Sequence, residues 1–363
     1  MDKNLEELVT INPILAKLVD GTDLTAGEAE KLFYAVFVHD TEGLHFATLI
    51  GAIHAKGETA DELLGFLNVT KSLAVKFDLG IDANKTIDLS GTGGGKLKTM
   101  NVSTAASFIV AACGYTVAKE SYPGITSPTG SADVFAPFGI NVPTLTKAQV
   151  EETLKEIGIC PFHYFFISPQ MDNRAKLSRK FFGERQISVR SPMHLVSNVY
   201  APIPMNHRVY GCYSEKYLEI LANLFMKLGF KRSLVFHGKI GIPEVSNVGQ
   251  TIIVEQNSEE LKRYTITPND LGVEEAKEQD VVSGGKEQNV VDFVRILKGQ
   301  EKGPKADLVA VNAGAALYAL EDVPTIKEGV QKAKEVLADG RAYQVFERLI
   351  QKLGDINTLK NYS

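Results

Sequence analysis

The stretch Thr86-Ile-Asp-Leu-Ser-Gly-Thr-Gly-Gly-Gly95, followed by Asn101-Val-Ser-Thr104 and an apolar run to Cys113, decides how the chain is read. Thr86–Leu89 is a short extended segment. It runs into glycines, which let a backbone turn sharply and approach a ligand closely. An apolar helical run from about Asn101 follows. Strand, Gly-rich loop and helix together form the arrangement that cradles phosphate, because successive N–H groups and a helix N-terminus meet the anion. No GK[ST] or GxGxxG follows, so the loop is neither a Walker loop nor a dinucleotide fingerprint.

Working outward, the loop offers Gly91, Thr92, Gly93 and Gly94 as phosphate-cradling positions. Asn101, Ser103 and Thr104 stand at the start of the helix, where they either cap it or contact phosphate oxygens or a phosphate-bound Mg2+. Lys119 ends the next strand-like segment, Thr116–Lys119. Its position after the loop favours an anion contact over a solvated charge.

Upstream, residues 4 to about 78 read as all-helical. Leu5, Leu8, Val9, Leu15, Leu18 and Val19 recur at roughly helical spacing. Thr25-Ala-Gly-Glu28 and Thr59-Ala-Asp-Glu62 have the form of capping boxes. Downstream, Phe162–Ile167, Val209–Tyr213, Leu234–His237 and Thr251–Glu255 read as strands. Helical stretches Thr146–Ile157 and Glu215–Leu228 lie between some of them, and the end from about Asn289 to Leu353 is helical again. Such alternation predicts an α/β fold with a mostly parallel central sheet surrounded by helices, preceded by a small N-terminal helical domain. The expected domains are 1–78, helical, and 79–363, α/β.

Composition narrows the class. At 363 residues, the chain is long enough for two cores. A net charge of -5 gives no global basic field to draw it to nucleic acid or anionic lipid. Cys113, Cys160 and Cys212 are scattered and odd in number, which predicts neither a disulfide framework nor a zinc site and fits a reducing cytoplasm. No basic-headed signal segment or bilayer-length apolar run is present. His163, His194, His207 and His237 read as structural.

These motifs resemble those of the anthranilate phosphoribosyltransferase family over nearly the whole chain. The family's GTGGD and N-[IV]-ST motifs are matched by Gly91-Thr-Gly-Gly-Gly95 and Asn101-Val-Ser-Thr104. Its K-H-G-N-R and S-x-x-G-S-A-D motifs correspond to Lys119-Glu-Ser-Tyr-Pro123 and Ser127-Pro-Thr-Gly-Ser-Ala-Asp133, and Val311-Asn-Ala-Gly-Ala-Ala-Leu317 is family-like. The resemblance implies transfer of a phosphoribosyl group from phosphoribosyl pyrophosphate to anthranilate with Mg2+, in tryptophan biosynthesis. It also implies a homodimer formed through the helical domain, which a helical segment near 170–200 joins. By position, Lys119 and Ser131 match substrate contacts and Ser103 a Mg2+ ligand. Glu244, in Gly241-Ile-Pro-Glu-Val-Ser246, matches the second acid of a metal-binding pair. Arg179, in Leu177-Ser-Arg-Lys-Phe-Phe-Gly183, matches the arginine that meets the anthranilate carboxylate.

The sequence departs from the family at defined places. Gly95 replaces the loop aspartate, Pro243 the first acid of the pair, Glu120 and Tyr122 the His and Asn of KHGN, and Gln170 a histidine. Residues 188–206 are longer than, and unlike, the family's N-x-x-G-P-x-x-N-P stretch. Phosphate-side residues are mostly kept and acceptor-side residues mostly changed. Alternatives are therefore a different acceptor, a nucleoside phosphorylase-type enzyme, or a non-catalytic binding homologue. For Arg179 the solvated basic face formed with Arg174, Lys176 and Lys180 is the competing reading.

Overall fold

The structure is a computed structural model that describes residues 3–122, 130–163, 168–187 and 189–362. It divides into two compact units, one made of 1–76 and 164–202, the other of 77–163 and 203–363.

The first unit is helical. α1 (Lys3–Thr10), α2 (Asn12–Val19), α3 (Ala26–His39), α4 (Leu44–Lys56) and α5 (Ala60–Leu73) follow one another, and shorter helices Asp172–Ser178 and Pro192–Val196 join from later in the chain. Both expected capping boxes form: Thr25 and Glu28 open α3, and Thr59 and Glu62 open α5. α3 and α5 approach closely because Gly65 faces Ala29; a β-carbon at 65 would lie 2.6 Å from that of Ala29. Phe66 meets Phe33 and Phe37 edge-on in the core, and those two rings are tilted against each other. Arg174 is not part of a solvated face. It is buried, its guanidinium 4.7 Å from the Phe66 ring centroid and 5.1 Å from that of Phe37. Arg179, Lys176 and Lys180 do face solvent.

The second unit holds one seven-stranded sheet. Its strands are β1 (Thr86–Gly91), β2 (Thr116–Glu120), β3 (Ile159–Phe162), β4 (His207–Gly211), β5 (Arg232–Gly238), β6 (Thr251–Asn257) and β7 (Glu260–Ile266), in spatial order β3-β2-β1-β4-β5-β6-β7. The first five run parallel, and β6 and β7 are added antiparallel. The sheet's helices include α6 (Val102–Ala112), α7 (Lys147–Ile157), α8 (Leu218–Lys227), α9 (Lys286–Leu297), α10 (Pro304–Ala319), α11 (Ile326–Ala338) and α12 (Arg341–Leu353). α6 carries Phe108, which packs against Phe135, Phe293 and Phe346 in the core.

Boundaries shift by a few residues from the sequence reading. β3 begins at Ile159, ahead of the expected strand from Phe162, and residues 164–167 lie outside the described residues. β7, Glu-Leu-Lys-Arg-Tyr-Thr-Ile, is mostly exposed and carries no apolar alternation, so nothing in its pattern marked it as a strand. Its backbone pairing with β6 is what orders it.

Candidate active site

Chain direction across the sheet reverses between β1 and β4: β2 and β3 are laid to one side and β5 to the other. In open parallel sheets, ligands bind outside the carboxyl ends of the strands at such a switch point. The Gly-rich loop leaves β1 at this place. Gly91 lies against Gly211 at the end of β4, where a β-carbon on residue 91 would be 2.6 Å from Gly211 O. The Thr92 N–H donates to Gly211 O at 2.8 Å, and Thr92 Oγ1 accepts from the Tyr213 N–H at 2.8 Å. Gly93 and Gly94 then take left-handed conformations (φ 61° and 73°), which explains their residue type.

Lys119 is 2% exposed, which rules out a solvated strand-end charge. Its Nζ donates to Leu89 O at 2.8 Å and to Ser103 Oγ at 3.2 Å, so β1, β2 and the first turn of α6 converge on one ammonium. Burial lowers its pKa to about 8, partly offset by the carboxylates of Asp88 and Glu120. Asp88 is itself fully buried. It accepts from the Ser90 hydroxyl and pairs with Arg208 Nη2 at 3.3 Å. Asn101 makes no side-chain cap bond; its carboxamide is paired with Asn289 of α9. Thr104 Oγ1 is buried without a hydrogen-bond partner among the described residues.

Glu244 lies on the connection from β5 to β6. Ser103, Ser90, Leu89, Pro243 and Glu244 line one small cavity. Glu244 Oε1 accepts from the Thr99 hydroxyl at 3.1 Å, while Oε2 is buried with no partner among the described residues. Burial raises its pKa to about 7, against the smaller opposite effect of Thr99. Asn312 of α10 pins this turn, its Oδ1 accepting from the Val245 N–H at 3.0 Å and its Nδ2 donating to Val245 O at 2.9 Å.

Mg2+ takes hard oxygen ligands, keeps several waters and is often held by one or two carboxylates plus substrate phosphates. The orphaned Glu244 oxygen and the Ser103 hydroxyl on the same cavity wall fit such a site. Among the described residues, no cluster of three or more His, Cys, Asp or Glu side chains stands ready to hold a metal alone.

The predicted residues therefore do not all meet. Ser103, Lys119 and Glu244 come together beside the end of β1, where the Gly91–Gly94 loop leaves the sheet, and Asn101 and Thr104 flank Ser103 at the start of α6. Ser131 Oγ accepts from the Tyr122 N–H at 3.0 Å, just beyond the end of β2. Residues 123–129, which include Ser127 of the second motif, lie outside the described residues. Arg179 belongs to the first unit, exposed in a π-helical turn, Arg179–Glu184. On the acceptor-side departure, Tyr122 OH donates to Glu120 Oε2 at 3.2 Å and the Tyr122 ring lies 3.9 Å from that of His163. Sequence reasoning gave no role to Asp88, Asn289 or Asn312. For Asn312, a polar residue in an otherwise apolar helical run was the available signal.

The glycine loop, the buried Lys119 and the Glu244 carboxylate lie in the a/b part of a chain whose likeness to known proteins makes it a transferase of the glycosyl transferase class. Residues 83–343 match the glycosyl transferase family, a/b domain, and residues 12–74 its helical bundle domain. The chain is 35% identical over 344 residues to the anthranilate phosphoribosyltransferase of Methanococcoides burtonii, covering 93% of this chain and 92% of that one. It is 30% identical to the enzyme of the same name from Persephonella marina, over 93% and 98% of the two chains. The crystal structure of anthranilate phosphoribosyltransferase from Thermus thermophilus superposes with a TM-score of 0.84 at 31% identity, over 94% of this chain and 99% of that one. The chain belongs to the anthranilate phosphoribosyltransferase family. The Saccharomyces cerevisiae enzyme in complex with PRPP and Mg shares the fold, with a TM-score of 0.83 at 19% identity over 95% and 98% of the chains.

Proposed function

We propose that this protein transfers the phosphoribosyl group of phosphoribosyl pyrophosphate to anthranilate, releasing pyrophosphate, in tryptophan biosynthesis. The observation that carries the reading is the convergence of Lys119, Ser103 and the Gly91–Gly94 loop at the sheet's switch point, in a chain of this family.

Breaking the bond between ribose C1 and the pyrophosphate oxygen builds positive charge on the sugar and negative charge on the leaving group. Positioning and electrostatic stabilisation then supply the rate. The backbone N–H groups of Gly93 and Gly94 face the departing diphosphate, and Lys119 holds a proton beside it. Ser103 fixes the lysine head and, with Glu244, would hold Mg2+, which when bound neutralises charge on the diphosphate. Arg179, in the first unit, matches the family's arginine for the anthranilate carboxylate, a role that suits the planar fork of a guanidinium. The enzyme works in the cytoplasm as a homodimer joined through its helical domain. Among the described residues, no helix is long and apolar enough to cross a membrane.

One observation favours a second acceptor. Glu120, in place of the family's His, presents a buried carboxylate supported by Tyr122, which suits an acceptor rich in N–H donors over an anionic one. Complementation separates the two. A tryptophan-requiring bacterium lacking its own anthranilate phosphoribosyltransferase is expected to grow without tryptophan when it expresses this chain, and not when it expresses Lys119→Ala. No growth from soluble, folded protein would reject anthranilate as the acceptor.

A further inference from the structure

Asn289 has no part in the chemistry above, yet it is 1% exposed and tied to a residue of the phosphate loop's helix. We propose that Asn289 is a positioning residue that turns the Asn101 carboxamide so that its NH2 group, and not its oxygen, faces the donor's diphosphate. The inference rests on the phosphoribosyl-transfer reading.

The orientation follows from what each group is able to do. A backbone N–H only donates, and that of Asn101 lies 3.0 Å from Asn289 Oδ1. This fixes which end of the Asn289 amide is oxygen, a choice that geometry alone leaves open. The other end, Nδ2, therefore donates to Asn101 Oδ1. Asn101 Oδ1 is thereby engaged on the protein side, and its NH2 remains for a ligand. An NH2 group donates to phosphate oxygens and cannot coordinate a cation, so the end of the Asn101 carboxamide left for a ligand serves the anion.

Asn289 is itself held in register. The Ser283 N–H donates to Lys98 O at 2.8 Å, and Thr99 and Val282 form an isolated antiparallel bridge. Residues 98–101 are thus clamped along 282–289, and the amide pair is the last link of the clamp. N-capping, the ordinary role of an Asn at a helix start, is absent at Asn101 because its oxygen is committed elsewhere.

The test is a double-mutant cycle on the dissociation constant for phosphoribosyl pyrophosphate, measured calorimetrically at fixed Mg2+ with melting temperatures alongside. Asn289→Asp still accepts from the Asn101 N–H but no longer donates to its Oδ1, so Asn101 must present oxygen to the phosphates. Affinity is expected to fall by about tenfold or more, the scale of a hydrogen bond to a charged group. Asn101→Ala/Asn289→Asp is expected to bind no more weakly than Asn101→Ala alone, because Asn289 acts only through Asn101. Asn289→Ala, which adds no charge, serves as the second variant if Asn289→Asp does not fold, and should show the same dependence on Asn101. Unchanged affinity in Asn289→Asp, or additive losses in the cycle, would overturn the proposal. If the unaltered protein does not bind phosphoribosyl pyrophosphate, the donor-site reading falls and the inference with it.

Discussion

Gly95 stands directly against the ring of Pro243: a β-carbon at residue 95 would lie 2.8 Å from Pro243 Cδ, closer than side chains pack. The two positions where the chain lacks a family acid are therefore neighbours, and they depend on each other. Gly95→Asp alone is expected to destabilise the protein by about 1–3 kcal/mol, because the proline ring cannot swing aside. In a Pro243→Asp background the same change should cost much less. Urea unfolding of the four proteins in this cycle measures the coupling, and equal costs in both backgrounds would show that the contact does not matter.

Lys119 gives a pH dependence. Its folded-state pKa is about 8, below the ordinary 10.5, so between those values the unfolded chain binds more protons and stability rises with pH. Below pH 8 the cost of burying the ammonium is present in full. Lys119→Met is thus expected to be at least as stable as the native protein at pH 7, while binding phosphoribosyl pyrophosphate at least about tenfold more weakly. In the native protein, affinity should decline as pH rises through about 8 and the ammonium is lost. Calorimetry from pH 6.5 to 9.5 reads this directly, and a flat profile would remove Lys119 from the donor site.

Glu244 carries the opposite sign. Burial raises its pKa to about 7, so between the ordinary 4.5 and 7 the native state binds more protons than the unfolded one and stability falls as pH rises. Glu244→Gln is expected to stabilise the metal-free protein at pH 8 by up to about 3 kcal/mol and to change little at pH 4.5. The same variant should lose most of the Mg2+ enhancement of phosphoribosyl pyrophosphate binding. Thermal melts at both pH values, with and without Mg2+, check the pair of effects.

Arg208 and Asp88 form a fully buried pair beneath the loop, with the guanidinium 4.9 Å from the Phe230 ring centroid and 5.3 Å from that of Phe225. Burial raises the Asp88 pKa, and Arg208, Ser90 and Lys119 act against that rise. Arg208→Met alone is expected to cost about 3–5 kcal/mol by leaving a buried carboxylate without its cation. Asp88→Asn/Arg208→Met should recover most of that loss. A double variant as unstable as Arg208→Met would mean that packing, not charge, is what Arg208 supplies.

Much of this was legible in the residues. Thr25/Glu28 and Thr59/Glu62 marked helix starts because capping is a local exchange of hydrogen bonds, and both boxes form. The Gly91–Gly94 loop was legible because only glycine tolerates what happens there. What escaped notice depended on contacts far apart in sequence. Arg174 looks like one more basic residue on a helix face until Phe37 and Phe66 close over it. Asn101 looks like a cap until Asn289, 188 residues away, takes its oxygen. β7 is ordered by its partner strand and carries too many charges to announce itself.

The central claim is phosphoribosyl transfer to anthranilate, and one assay tests it most directly. Purified protein is mixed with phosphoribosyl pyrophosphate, Mg2+ and anthranilate, and anthranilate fluorescence and released pyrophosphate are followed together. The account predicts that fluorescence falls as pyrophosphate appears, in equal amounts, and that both signals vanish in Lys119→Ala. Pyrophosphate-independent fluorescence loss, or neither signal from protein that binds the donor, would contradict it.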